Sequence, residues 1–284
     1  MKLSVILNTF NRPQYTRLAL FSLKYQSRPP DEVVVSDDGS IDSQLPLLRE
    51  MAPTLPFRLL FVTQQHNGFQ LARCRNNGIL VSSGDYLAFM DQDLLLTQGY
   101  LATHQQYASS GSFLIPQVII LNEEQTERIE PAQIELGDFS SILSTEQLHK
   151  NRKQYREDAF YQLARRFRYR THRPKLKGGL FSIYRDDILK VNGYDEAYRG
   201  WGNEDDDLGR RLYAAAIPGR NPFKNDFAMH MYHEPNHSAG ERRNLEYYKQ
   251  RKQMISSGDY ACDQGLKQRS PAELECTVIK TGVS

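Results

Sequence analysis

No run of about 18 apolar residues occurs in this 284-residue chain, so no segment is expected to cross a membrane as a helix. The apolar stretch within Met1–Asn8 is too short for a signal peptide. Cysteine is scarce. Cys74, Cys262 and Cys276 are odd in number and lack metal-ligand spacing, which fits a reducing compartment better than a disulfide framework. Excess charge of either sign is also missing: 36 Lys and Arg against 34 Asp and Glu leave +2, which argues against bulk nucleic-acid binding. Internal repeats are absent. These absences together describe a soluble, cytoplasmic protein, long enough to bury a full core as one large domain or two small ones.

The first third alternates short apolar runs with helix-like segments, the mark of repeated βαβ units. Strands are expected over Leu3–Leu7, Glu32–Val35, Phe57–Val62 and Tyr86–Met90, with helices from Pro13 to about Tyr25 and over Leu71–Val81. Strands this apolar imply an α/β fold with a mostly parallel sheet covered on both faces, whose ligands sit at the strands' carboxyl ends. Polar residues collect there: Thr9, Asn11 and Arg12 after the first strand, Asp37 and Asp38 after the second, Asp91 and Asp93 after the fourth.

The pattern degrades from Asn122 to about Lys177. Residues 150–177 are rich in arginine and lysine interleaved with Tyr155, Phe160, Tyr161, Phe167 and Tyr169. Such a run is either a solvated helix face or a surface for a phosphorylated lipid carrier or anionic membrane. Beyond it, Gly178–Tyr184 reads as a strand entered through a flexible glycine pair, Phe227–Tyr232 as another strand, and Glu241 to about Met254 as a polar helix. The tail after it reads as weakly structured.

Gly200-Trp201-Gly202-Asn203-Glu204-Asp205-Asp206-Asp207 holds the only tryptophan, between two glycines and before four carboxylates. One reading has Asn203 cap a helix whose acidic first turn favours the positive end of the dipole; Leu208 and Leu212, four apart, support a helix there. Capping leaves Gly-Trp-Gly unexplained, whereas glycines admit close approach and a tryptophan face suits a sugar ring. Asp91-Gln92-Asp93 puts two carboxylates on one side of an extended chain, and hard oxygens suit Mg²⁺ or Mn²⁺. Asp37-Asp38-Gly39-Ser40 is either an ordinary Asp-Gly turn or a site where an aspartate accepts from a base N–H. Arg75-Asn76 places a cation near a phosphate or merely on the surface. Strand parity would set His230 and His233 on opposite faces, so a lone histidine is expected to join the Asp91–Asp93 metal; His237 lies nearby.

These segments resemble the family 2, GT-A type glycosyltransferases. Val5–Arg12, Val33–Ser40, Asp91-Gln92-Asp93 and Gly68-Phe69-Gln70-Leu71 leading to Arg75-Asn76-Asn77-Gly78 are similar to that family, particularly bacterial chondroitin polymerase modules. The segment from Lys177 to Leu212 and Tyr232-His233-Glu234-Pro235 are similar to the C-terminal region shared with animal β-1,4-galactosyltransferases. The resemblance implies a GT-A fold with a smaller acceptor-side subregion: a nucleotide-sugar half over 1–120, a variable basic insertion over 121–177, an acceptor and catalytic part over 178–257, and a tail over 258–284. It implies a UDP-sugar donor held through Mn²⁺ or Mg²⁺, with Asp93 and His233 as metal ligands. Thr9, Asn11, Arg12, Asp37, Asp38, Arg75, Asp91 and Gln92 would contact the nucleotide sugar. Asp205 would be the catalytic base, while Trp201, Gly202, Glu204 and Asp206 would meet donor or acceptor sugar.

The reaction so implied is an inverting transfer of Gal, GalNAc, GlcNAc or GlcA to a glycan or lipid-linked glycan, in bacterial surface polysaccharide or lipid-linked glycan synthesis; the basic run over 150–177, outside most of the resemblance, is the place where peripheral membrane contact would be made. Asn203 departs from the glycine that family often has. The chain lacks the Gln-x-x-Arg-Trp motif of processive synthases, which argues against a membrane polymerase. A retaining transferase of related fold and a non-catalytic sugar-binding module are the competing readings. A nucleotidyltransferase would carry a Gly-rich basic loop after the first strand, and Asn8-Thr9-Phe10-Asn11-Arg12-Pro13 is not one.

Overall fold

The computed structural model describes residues 1–167, 169, 171–176, 178–234 and 244–282. Its strands are β1 Leu3–Thr9, β2 Glu32–Asp37, β3 Arg58–Thr63, β4 Tyr86–Asp91, β5 Leu94–Leu96, β6 Phe113–Leu114, β7 Val118–Ile120, β8 Phe181–Tyr184, β9 Gly219–Arg220, β10 Ala228–His230 and β11 Cys276–Lys280. Eight of them form one sheet in the order β11-β3-β2-β1-β4-β8-β6-β9; β5, β10 and β7 form a second, small one. β1 pairs in parallel with β2 and β4, and β2 with β3, whereas β8 joins β4 antiparallel.

Both faces of the central strands are apolar because both are covered. Leu3, Val5 and Leu7 enter one buried cluster with the helix Pro13–Lys24; Ile6, Leu87 and Phe89 enter another with Phe181, Leu208 and Leu212. Side chains alternate across a strand, so one β1 sequence serves two cores. The helix Leu71–Val81 falls where its periodicity places it, and its Gly78 lies so close to β1 that a Cβ would stand 2.4 Å from Ile6 Cγ2.

β2 and β4 run further than their apolar residues suggest. Each ends on an aspartate still in ladder register, Thr9 opposite Asp37 and Asn8 opposite Asp91. The first acids of both motifs are therefore held by the sheet itself.

The N-terminal part of the basic region is helical. A helix spans Thr145–Arg166, started by a capping box in which Ser144 Oγ accepts from Gln147 N at 3.1 Å and Gln147 Oε1 accepts from Ser144 N at 2.9 Å. Its buried Asp158 accepts from Asn221 Nδ2 at 2.8 Å, tying it to the residues just after β9. No helix among the described residues is long and apolar enough to cross a membrane. The tail corrects the sequence reading: β11 pairs antiparallel with β3 and closes that edge of the sheet. Its Cys276, Thr277 and Val278 are exposed and its last two residues only partly buried, so no alternation of burial distinguishes it from loop by pattern.

Candidate active site

At the carboxyl ends of β1 and β2, several of the expected donor contacts support one another. Asp37 accepts from Thr9 Oγ1 at 3.0 Å, Thr63 Oγ1 at 3.1 Å and Ser40 N at 2.8 Å, so the Asp37 and Thr9 side chains brace the loop. Asp38 accepts from Gln64 Nε2 at 2.5 Å and Gln70 N at 3.0 Å, and burial pushes its carboxyl up to about 6. Asn11 and Arg12 both take positive φ; Asn11 Oδ1 accepts from Ile41 N at 3.0 Å, and Arg12 Nη2 donates to Glu234 O at 2.7 Å. Gln92 departs from the expectation that it contacts donor: its amide bonds the Phe10 backbone at 2.8 and 3.3 Å and accepts from Thr16 Oγ1 at 3.1 Å. Lying between Asp91 and Asp93, it points to the opposite side.

Asp93 meets two histidines rather than one. Its Oδ2 lies 2.9 Å from His233 Nε2 and 3.5 Å from His230 Nε2, and one potential ligand atom from each of the three residues lies within 4.8 Å of the others. The parity argument fails because β10 ends at His230; His233 follows in non-strand chain, and the two rings sit 5.2 Å apart. Burial alone would raise the Asp93 carboxyl, but the His233 hydrogen bond and the nearby His230 carry it below its ordinary range. Asp93 Oδ1 and His230 Nδ1 are buried with no hydrogen-bond partner among the described residues. A carboxylate and two imidazoles, with a carboxylate oxygen left unpaired, fit a divalent cation. His237 and Pro235 lie outside the described residues.

Arg75 is the junction between the two halves. Instead of facing open solvent, it is fully buried, with Nη1 2.9 Å from Asp205 Oδ1 and Nη2 3.4 Å from both Asp91 oxygens. Glu204 Oε1 stands 3.7 Å from the same Nη1, and the guanidinium lies over the Tyr194 ring at 5.1 Å. Asp205 also accepts from Tyr194 OH at 3.2 Å and from Gly179 N at 3.0 Å. Burial, reinforced by the Asp205 charge and opposed by Arg75, pushes Glu204 up to about 7. Burial likewise carries Asp91 up to about 6, against Arg75 and with Asp93 and Asp205.

The acidic turn fans out because successive helical residues are rotated by about 100°. Glu204 and Asp205 face Arg75, while Asp206 accepts from Arg210 Nε at 2.9 Å and from Tyr248 OH. Asp207 points inward to Arg211 Nε at 2.6 Å, both fully buried. Asn203 does not cap this helix with its side chain; it occupies the left-handed region at φ 77°. Its backbone redirects the chain out of Gly200-Trp201-Gly202, where Asn244 Nδ2 donates to Gly202 O at 3.0 Å and Trp201 is 55% exposed.

Sequence reasoning named His230 but set it aside by strand parity, and it missed Tyr194, Asn244 and the backbone of Gly179. Only His230 left a signal, its three-residue spacing from His233; the others act from loops that no periodicity marks. A cavity of about 350 Å³ adjoins His233, lined also by Arg12, Tyr15 and Tyr232.

Two outcomes test this arrangement. Gly179 has φ +60°, and a Cβ there would stand 1.9 Å from Arg75 Nη2. Gly179→Ala should therefore cost about 1–3 kcal/mol of stability and displace Asp205 together with Arg75; an unchanged unfolding midpoint would contradict the contact. Glu204 concerns pH. Its carboxyl is raised on folding from 4.5 to about 7, so the folded state holds its proton more tightly. The associated stability is full below about 4.5 and is lost as pH rises through about 7. Glu204→Gln should flatten that decline when unfolding midpoints are compared at pH 5 and pH 8.

Residues 4–189 match the model of glycosyl transferase family 2, and residues 158–234 match that of the N-terminal domain of galactosyltransferase. A validoxylamine A glucosyltransferase from Streptomyces hygroscopicus subsp. limoneus is 29% identical over 265 residues, covering 84% of this chain and 53% of that protein. A chondroitin synthase from Escherichia coli is 27% identical over 225 residues, covering 74% of this chain and 32% of its own length. The chain thus spans about half, or less, of the length of these two relatives. The structure of GalNAc-T7 with UDP, GalNAc and Mn²⁺ superposes with a TM-score of 0.61 at 16% identity, covering 89% of this chain and 48% of the other, which shows the shared GT-A fold. The resemblance read from the strand-end motifs is the one these comparisons return. With the family pattern running through residues 4–189, well over half its length, the chain belongs to glycosyl transferase family 2.

Proposed function

We propose that the chain is a metal-dependent, inverting glycosyltransferase that moves a sugar from a UDP-sugar to a hydroxyl of a glycan or lipid-linked glycan acceptor. The observation that carries this is the single guanidinium of Arg75, which bonds Asp205 at 2.9 Å and Asp91 at 3.4 Å. A candidate base and one donor-side aspartate, Asp91, thereby flank the same guanidinium. The GT-A neighbour solved with UDP and Mn²⁺ supports the donor and metal classes.

Asp205 is suited to accept the acceptor's proton. A carboxylate offers about four lone-pair positions. Arg75 and Tyr194 occupy Oδ1 and Gly179 N takes one position on Oδ2, leaving a place on Oδ2 for a hydroxyl among the described contacts. Proton removal as the hydroxyl attacks the anomeric carbon contributes about 10²–10⁴-fold. Attack from the face opposite the nucleotide inverts that carbon, so an α-linked donor gives a β-linked product. Trp201, 55% exposed and flanked by glycines, would meet a sugar beside the acidic turn.

Asp93, His233 and His230 would hold the metal, which when bound supplies positive charge beside the departing diphosphate. Two imidazoles favour Mn²⁺ over Mg²⁺. Thr9 and Asp37 brace the loop beside Asp38, Asn11 and Arg12, which would meet the nucleoside.

A panel of UDP-sugars with Mn²⁺, read by UDP release, tests the reaction class; no release with any donor in the presence of glycan acceptors would remove the proposal. Asp205→Asn should keep UDP binding and lower kcat by about 10²–10⁴-fold; wild-type turnover in that variant rejects its role. Asp93→Ala should instead abolish the Mn²⁺-dependent part of UDP binding in a titration with and without the ion. If UDP binding proves indifferent to Mn²⁺ in the unaltered protein, the metal assignment falls.

A further inference from the structure

The helix Thr145–Arg166 presents a face that neither the core nor the catalytic site uses. Arg152, Lys153, Arg156, Ala159, Phe160, Leu163, Arg166 and Phe167 are all exposed, and at 3.6 residues per turn they fall on one arc of about 140°. Phe160 is 64% exposed, Leu163 52% and Phe167 79%; Tyr169 follows at 59%. Apolar side chains this open are costly on a solvated helix, and a contiguous group of them marks a contact surface. The cations lie mainly along the N-terminal part of the arc and the apolar residues along the C-terminal part. Glu157, the nearest acid, falls at its edge. The buried side of the same helix is fixed by Asp158 on Asn221 and by Arg165 on Gly219 O at 2.6 Å, so the exposed face is held in place.

We infer that this face docks on an anionic lipid headgroup layer. Arg152, Lys153, Arg156 and Arg166 meet lipid phosphates while Phe160, Leu163 and Phe167 enter the boundary between headgroups and acyl chains. The combination of clustered cations with exposed aromatic and aliphatic side chains on one arc is what such a surface binds. Complementary charge decides between occupants: a second copy would set these cations against themselves, whereas phosphates neutralise them. The face also connects to the site. Further along the chain, successive residues contact the helix Glu204–Ala214 towards its start, with Pro174 O accepting from Tyr213 OH at 2.9 Å, Lys175 3.8 Å from Asp206, and Gly179 N donating to Asp205. A docked surface would thus lie off the far end of that helix, about 16 Å along its axis from the acidic turn. An acceptor anchored in the same lipid layer could extend to Asp205 from there. The docking itself does not rest on the transferase reading.

The test is co-sedimentation of the full chain with vesicles of phosphatidylcholine alone or mixed with phosphatidylglycerol, at low and high salt. Binding is expected to the mixed vesicles and to weaken with salt. R152E/R156E should lower it at least about tenfold, and F160S/L163S should remove it. Unfolding midpoints and circular dichroism establish that these surface variants fold. Equal binding to both vesicle types, or binding untouched by either variant, overturns the inference. So does absence of binding together with a concentration-dependent dimer that F160S abolishes, which would make the face homotypic. Because sedimentation needs no turnover, a failure here is distinct from a failure of the transferase proposal.

Discussion

The site depends on one buried cation. Arg75 has no exposed surface, and three carboxylates from two other elements lie within 4 Å of its guanidinium. An isolated charge at such a depth would be expelled, and a matched pair would barely recover its desolvation. Here the imbalance runs the other way: one cation faces Asp91, Glu204 and Asp205. Burial, reinforced by the neighbouring carboxylates and opposed by Arg75, carries Glu204 up to about 7 and Asp91 up to about 6. The helix Leu71–Val81, the end of β4 and the start of the helix Glu204–Ala214 are therefore fixed to one another by a single side chain.

That helix start is held from behind as well. Asp207 and Arg211 form a fully buried pair at 2.6 Å, and Arg211 Nη1 donates to Val191 O at 2.7 Å and Gly193 O at 2.8 Å. Asn76, next to Arg75, exchanges hydrogen bonds of 2.9 Å with the Tyr194 backbone. Tyr194 OH then reaches Asp205. Motion of Asp205 would have to disturb two ion networks and a loop at once. Rigid support of this kind is what a proton acceptor needs to hold its geometry.

The physics of each signal decides how much of this was legible in the sequence. The βαβ order and the bounds of Leu71–Val81 were readable because apolar periodicity reports burial directly. The strand-end acids were readable because parallel sheets put ligands there. Charge pairing was not: Arg75 reads the same on a surface as in a core, and only three-dimensional closure supplies Asp205, 130 residues away. Histidine parity misled because it assumed a strand through His233, and the strand stops at His230. Asn203 suggested a side-chain cap by residue type, yet its left-handed backbone does the turning. β11 was hidden because its residues are exposed or only partly buried, so no apolar alternation marks it.

Charge accounting links the two halves of the site under the proposed reaction. A nucleoside diphosphate brings further negative charge to a place where Arg75 is already committed to carboxylates and cannot turn to the phosphates without abandoning Asp205. Neutralisation has to come from another source at the end of β4. Asp93, two residues beyond Asp91 and turned towards His230 and His233, is placed for that task, because a divalent ion between them adds two positive charges without disturbing the guanidinium. The two aspartates thus have different partners: Asp91, the last residue of β4, meets the cation that also holds the candidate base, and Asp93, in the turn beyond the strand, meets the residues that would hold the metal. Exchanging those roles would leave Asp205 unsupported on one side and the diphosphate uncompensated on the other.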